Sequence, residues 1–465
     1  MWFHPTHSSA AFLAALVYVV IGLVASMHAL LTKPDPRSAL AWMSVAWLIP
    51  FGGPLLYGLF GINRVRRPRG AAARPEPVST PEPVSNGTTS RADLARVADA
   101  LTGRPLVTGN ELEPLQNGAM AFPRMLQAIE AARSSVWLAT YIFETDAVGK
   151  QFVQALAAAS RRGVQVRVLV DGIGEWYDWP HVVPLLRRAG VRAERFLAPR
   201  LFPPQLSLNC RNHRKILVVD GRWGFMGGMN LGGREMGTRG RMSDMHFHLQ
   251  GPIVRQLAQT FAEDWAFAAR EPLTAPAPQL PAGECTCRVI TGGPDEDLDK
   301  LLLVILGALA SARRRVQIMT PYFIPPLELV AALEATALRG VVVSLVLPQR
   351  SNLRYVDWAT QHWPPALIAR GMRVHLQKPP FSHAKLFVVD GEYAHIGSVN
   401  VDTRSLRLNF EITVEVYDAT FCEPLAAFIE ERELASPALT PQTLPDRSAV
   451  QRVRDALCWL ISPYL

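Results

Sequence analysis

Two short stretches of this 465-residue chain carry groups suited to phosphoryl chemistry. Each reads His-x-Lys, four apolar residues, Asp-Gly: His213, Lys215 and Asp220 in NHRKILVVDG, then His383, Lys385 and Asp390 in SHAKLFVVDG. Side chains two apart on a strand share a face, so His213 projects with Lys215 and His383 with Lys385. Two imidazoles and two ammonium groups suit a phosphodiester, which needs a nucleophile, an acid and positive charge around its oxygens. The aspartates complete the catalytic motif. Seven residues after the histidine, each is out of phase with it at the strand end, where Asp-Gly reads as a turn. Asp220 and Asp390 are therefore expected to organise the framework rather than touch phosphate. Asn230 and Asn400 follow Gly-Gly-Met and Gly-Ser-Val. Small residues there would let the backbone approach a ligand, and the amides could donate to phosphate oxygens.

A lone His-x-Lys on a buried strand is ordinarily structural, and Asp-Gly turns are common. The second copy changes the reading: residues 212–230 match 382–400 without a gap, at a constant offset of 170. Upstream, AARSSVWLATYIF (131–143) resembles SARRRVQIMTPYF (311–323). Each leads into an Ala- and Leu-rich helical stretch ending in RRGVQVRVLVDG or LRGVVVSLVLPQR. Strand, helix, Gly-terminated turn, strand is a βαβ signature, with Gly163 and Gly340 just past the helices. The nearly continuous apolar strands fit a sheet covered by helices. The expected fold is α/β: two repeated halves, 94–278 and 279–435, each a mixed sheet flanked by helices. Pseudo-twofold symmetry would bring the equivalent motifs to one site, and a tail, 436–465, follows.

The elements ahead of these halves address a membrane. Ala10–Leu31 contains no Asp, Glu, Lys or Arg and as a helix would reach roughly 33 Å, enough to cross a bilayer. After a short loop, Ser38–Ile62 is a second uncharged run, broken by Pro50, Gly52, Gly53 and Pro54. The expectation is a two-helix transmembrane hairpin over residues 1–62, with spans at about 10–31 and 38–62. A signal peptide fits poorly, because no Lys or Arg precedes the first run and a second run follows. Arg64, Arg66, Arg67, Arg69 and Arg74 crowd the exit, against only Lys33 and Arg37 in the loop, so the large C-terminal region is expected on the cytoplasmic side. Residues 63–93 read as a basic, then Pro-rich, tether. The net charge of +8 favours anionic partners, nucleic acid or lipid. Five cysteines in so long a chain imply no disulfide framework, and Cys285 and Cys287 lack the second pair of a metal site. His246 and His248, an H-x-H on one strand face, are read as packing groups rather than metal ligands.

These residues resemble the phospholipase D superfamily, whose signature is a duplicated His-x-Lys-x4-Asp with a Gly-x-x-Asn tail. The whole chain except the tether is similar to the bacterial cardiolipin synthases: RSALAWMSVAWLIPFGGPLLYGLFG in the second run, then YIFETDAVG, CRNHRK, SDMHFHLQGP, TPYFIP, NVDTRSLRLNFE and LISPYL. The resemblance implies phospholipase D-like halves and a two-step transfer. One histidine, assigned to His213, attacks phosphorus to give a phosphohistidine. The other, His383, protonates the leaving alkoxide and then serves as base. Lys215, Lys385, Asn230 and Asn400 would stabilise charge on the oxygens. It also implies that Asp244 and Glu411, 31 and 28 residues after the respective histidines, support the imidazole of the opposite half: Glu411 for His213, Asp244 for His383.

The implied reaction joins two phosphatidylglycerols into cardiolipin with release of glycerol. It needs no cofactor and no metal, at an anionic bacterial inner membrane and without nucleic acid. The rival readings are a phospholipase D-type lipid hydrolase, a phosphodiesterase or nuclease, and a non-catalytic membrane scaffold. The scaffold would need neither histidine.

Overall fold

The computed structural model describes residues 5–33, 35–62, 65, 89–199, 209–237, 242–444 and 446–460. Arg64, Arg66, Arg67, Arg69 and Arg74, on which the expected orientation rests, lie outside these residues, as do most of the tether and the end of LISPYL. The chain divides into two compact units, residues 1–66 with 199–209 and residues 67–198 with 210–465.

In the first unit, the uncharged sequence folds as one helix, Pro5–Thr32. Its stretch Ser9–Thr32 is 24 residues with mean hydropathy 2.4, long and apolar enough to cross a membrane. The second run differs from the single span expected over 38–62. It breaks into a helix Pro36–Leu48, a short helix Gly52–Leu56 and a π-helical turn Tyr57–Gly61. Thirteen residues reach only about 20 Å, short of a bilayer core. Pro50 lacks a backbone donor and Phe51 takes φ +58°, so the ladder stops there. Asp35 caps the second helix by accepting from the Arg37 and Ser38 amides at 3.2 and 3.1 Å. Ala25 and Ala29 pack against Ala46 and Tyr57, and Trp47 Nε1 donates to Ser26 Oγ at 2.9 Å.

The second unit is built on a 14-stranded sheet. From one edge it runs Arg192–Phe196, Gln165–Asp171 and Ser135–Thr140, mutually parallel. Ile216–Val219, Trp223–Gly227, Met245–Gln250 and Val107–Gln116 follow, each antiparallel to its neighbour. The sheet crosses into the second half where Val107 pairs with Cys287 and Asn110 with Cys285. It continues through Cys285–Gly292, Glu411–Val416, Tyr393–Gly397 and Leu386–Val389, again antiparallel. Arg315–Met319, Val342–Pro348 and Arg373–Gln377 form a second parallel edge. The motif strands thus hold the same place, fourth from either edge. Gly163 and Gly340 end the crossover helices at φ +87° and +88°, a conformation that glycine reaches without Cβ strain.

Ile216–Val219 and Leu386–Val389 are buried throughout, which explains their unbroken apolar sequence. Beyond them Asp220 and Gly221 take φ +53° and +63°, and Asp390 and Gly391 +56° and +73°. The helix Thr89–Thr102 starts before the expected boundary at residue 94. It lies on the second half's core through Leu94, Ala95 and Ala98. At the chain's other end, the helix Ala449–Leu460 stacks Trp459 on His362 with centroids 4.4 Å apart.

Arg214, between the first motif's histidine and lysine and just ahead of the strand Ile216–Val219, is fully buried. Its guanidinium bonds Asp264 at 2.7 Å and donates to the carbonyls of Glu411 at 2.9 Å and Gly292 at 3.0 Å, tying the halves together. Arg214→Ala would take the guanidinium from two carbonyls and from the buried Asp264 carboxylate, which keeps the Asn212 amide at 3.2 Å but loses its charged partner at 2.7 Å. A loss of about 3–5 kcal/mol is expected, measured by denaturant unfolding of the solubilised protein.

Candidate active site

Short parallel bridges bring each motif against the other half. Asn212 bridges to Phe410, and the His213 amide donates to the Phe410 carbonyl at 2.9 Å. Ser382 bridges to Ser243 in the same way, and the His383 amide donates to the Ser243 carbonyl at 2.6 Å. The next residues, Glu411 and Asp244, therefore meet the imidazole of the opposite half. Nδ1 of His213 lies 3.0 Å from Glu411 and Nδ1 of His383 lies 2.8 Å from Asp244. An ionised carboxylate only accepts, so Nδ1 carries the proton and Nε2 keeps a lone pair. Both histidines line one cavity of about 190 Å³, with Asn230 and Asn400 on its wall.

Each carboxylate is itself held. Glu411 accepts from Asn409 Nδ2 at 3.1 Å and from the Ser398 hydroxyl. Asp244 accepts from the Met245 amide at 2.7 Å. The small residue at 228 has a different use from the one expected. A Cβ there would stand 2.5 Å from Asp244 Oδ2, so Gly228 makes room for the carboxylate, not for a ligand. Asn230 accepts from the Ile142 amide at 3.1 Å, and Asn400 donates to Ser405 Oγ at 3.2 Å.

Asp220 and Asp390 stand apart from the cavity, so their grouping with the catalytic residues gives way to a framework position. Asp220 accepts from the amides of Arg133, Ser134 and Ser135 at 2.8–2.9 Å. Asp390 accepts from those of Arg313, Arg314 and Arg315 at 2.7–3.0 Å. Each clamps the start of the neighbouring strand. Six intervening residues and a left-handed turn carry the aspartate away from the histidine.

The lysines are buried beside the histidines and donate to the His213 and His383 carbonyls, Lys215 at 2.8 Å. Burial, with help from the Lys385 charge, lowers Lys215 to about 7, and burial lowers Lys385 as well. Burial pushes both imidazoles down, His383 to about 3, against the upward pull of Asp244 and Glu411. Lys385 acts on His213 and Lys215 on His383, so the four groups share one field across the two halves. An anionic phosphodiester would offset the ammonium charges and raise the imidazole of the proton donor.

Burial likewise holds His246 at about 4 and His395 at about 3. All three histidines bind protons more readily unfolded, near 6.5. Their contribution to stability is complete above that pH and is lost as pH falls toward 3. Denaturant unfolding at pH 7 and pH 5 is expected to show lower stability at pH 5.

Sequence reasoning missed several residues here. Tyr141 and Tyr322 set ring edges against His213 and His383, at 5.3 and 6.1 Å between centroids. Glu235 is fully buried, its Oε1 accepting from the Asn230 amide at 3.3 Å, and burial beside Asp244 raises it to about 8. Arg234 and Arg404 also line the cavity. Their signal was available: they continue the 170-residue register four positions past each asparagine.

A family model described as "Cardiolipin synthase, PLD-like domain" matches residues 125–265 and 305–432. The chain is 33% identical to cardiolipin synthase A of Pseudomonas entomophila (strain L48), over 98% of each protein. It is 31% identical to the major cardiolipin synthase ClsA of Bacillus subtilis (strain 168), over 98% of this chain and 100% of that one. Among solved structures, phosphatidylserine synthase of Haemophilus influenzae Rd KW20 shares the fold. The TM-score is 0.60 at 14% identity, covering 80% of this chain and all of the other.

Proposed function

We propose, from the premise that the chain belongs to the cardiolipin synthase family with phospholipase D-like domains, that its cavity runs a phosphatidyl transfer through a phosphohistidine. The protein is a phosphatidyltransferase: it moves a phosphatidyl group from one phosphatidylglycerol to another, making cardiolipin and releasing glycerol. One observation carries the mechanism: two imidazoles line one cavity, each with Nδ1 against a buried carboxylate from the opposite half.

His213 Nε2 attacks phosphorus while His383 delivers a proton to the departing glycerol oxygen. His383, now neutral, takes the proton of the second lipid's hydroxyl as that oxygen displaces His213. Glu411 steadies the charge on His213 during the covalent stage, and Asp244 that on His383. Lys215, Lys385 and the asparagine amides stabilise the non-bridging oxygens as charge grows. The recurring strand order supports a pseudo-twofold relation between the halves. The apolar helix supports attachment to the bacterial inner membrane; the second run, though broken at Pro50 and Phe51, folds back against it through Ala46 and Tyr57 as the other arm of a hairpin. The Arg-rich stretch after it supports a cytoplasmic site against anionic lipid. That placement also concentrates the acceptor lipid and disfavours water.

Expression in a bacterial host lacking cardiolipin, followed by lipid mass spectrometry, tests this reading. Cardiolipin should appear, and the purified protein on phosphatidylglycerol vesicles should release one glycerol per cardiolipin. Phosphatidic acid as the only lipid product would instead indicate a hydrolase. DNA cleavage without any lipid product would indicate a nuclease.

A further inference from the structure

The repeat is not symmetric where its two arginines meet the cavity. Phe143 bridges to Leu231, and Phe323 to Val401, so Glu144 and Ile324 occupy equivalent places. In the first half Glu144 forms an ion pair with Arg234. Its carboxylate occupies the space over Gly232, where a Cβ would stand 2.0 Å from Oε2. In the second half Ile324 supplies no charge. Asp402 stands where Gly232 does, but its carboxylate caps the next helix, accepting from the Ser405 amide at 2.6 Å. Among the described residues, the Arg404 side chain makes no hydrogen bond or ion pair. Its charge bears on Tyr141, Tyr355 and Asp402. Arg404 is half-buried and lines the cavity together with Tyr355, which is 41% exposed.

We propose that Arg404 forms a second phosphate subsite, which holds the phosphodiester of the acceptor lipid while its glycerol hydroxyl attacks. This rests on the transfer reaction above, whose product carries two phosphates joined by one glycerol. A second anion must therefore sit a three-carbon bridge from the reacting phosphorus. A guanidinium without a partner among the described residues matches it with two parallel donors, whereas Arg234 is already neutralised. The site thereby selects an acceptor alcohol that bears its own phosphodiester.

The test gives one donor, phosphatidylglycerol in mixed micelles, two soluble acceptors: labelled glycerol and glycerophosphoglycerol. In the unaltered protein, kcat/KM should favour glycerophosphoglycerol by about tenfold or more. Arg404→Gln should bring that ratio close to one, and Arg404→Lys should restore part of it. A ratio that is already near one in the unaltered protein overturns the subsite, and this arm holds even if a variant misfolds. A ratio unchanged by Arg404→Gln overturns it too. Glycerol exchange without any cardiolipin from the unaltered protein would instead refute the synthase reading, and the inference with it.

Discussion

Replacing either His213 or His383 with alanine is expected to lower phosphatidyl transfer at least about 1,000-fold. The two imidazoles line a single cavity and are held in the same way, each through Nδ1. Neither duplicates the other, because one turnover needs a nucleophile and a proton donor at the same phosphorus. The effects should therefore be strongly non-additive, with the double variant little slower than either single one. Initial rates in mixed micelles, with thermal unfolding as a control for folding, check this. Substantial activity in either single variant would contradict a shared site.

Glu411→Gln and Asp244→Asn should each lower kcat by about 100- to 10,000-fold with little change in KM. Neither carboxylate reaches substrate. Each orients an imidazole and stabilises its cation, and a neutral amide supplies neither the charge nor an assured acceptor. The pH profile separates this role from simple loss of structure. Burial and Lys385 push His383 down while Asp244 pushes it up. Asp244→Asn removes the upward pull, so residual activity should favour more acidic pH than that of the unaltered protein. A variant that loses activity through misfolding would show the unaltered profile at reduced amplitude.

What the sequence discloses about these sites depends on how local the determining contacts are. The motif strands were legible because four buried positions demand four apolar residues, and the Asp-Gly turns because few residues accept two successive positive φ values. The cross-pairing of Glu411 with His213 and Asp244 with His383 was reached by resemblance, not by periodicity; its geometry comes from bridges between residues some 140 to 200 positions apart. Gly228 was misread for a similar reason, since the atom that requires it belongs to Asp244, just ahead of the neighbouring strand Met245–Gln250. The second apolar run has the length and composition of a span. Pro50, Gly52, Gly53 and Pro54 mark the break in its sequence, whereas the positive φ at Phe51 shows only in the backbone. The arginines at 234 and 404 show the opposite case, a local signal in plain register whose meaning appears only once both side chains reach one cavity.

The covalent step is the claim most directly open to measurement. Protein mixed with phosphatidylglycerol, quenched at alkaline pH within the first turnover and digested, should yield one phosphatidyl adduct per chain, on the peptide carrying His213. Turnover without any adduct, or adducts on His213 and His383 of the same chain, would contradict a single phosphorus relayed between the two imidazoles.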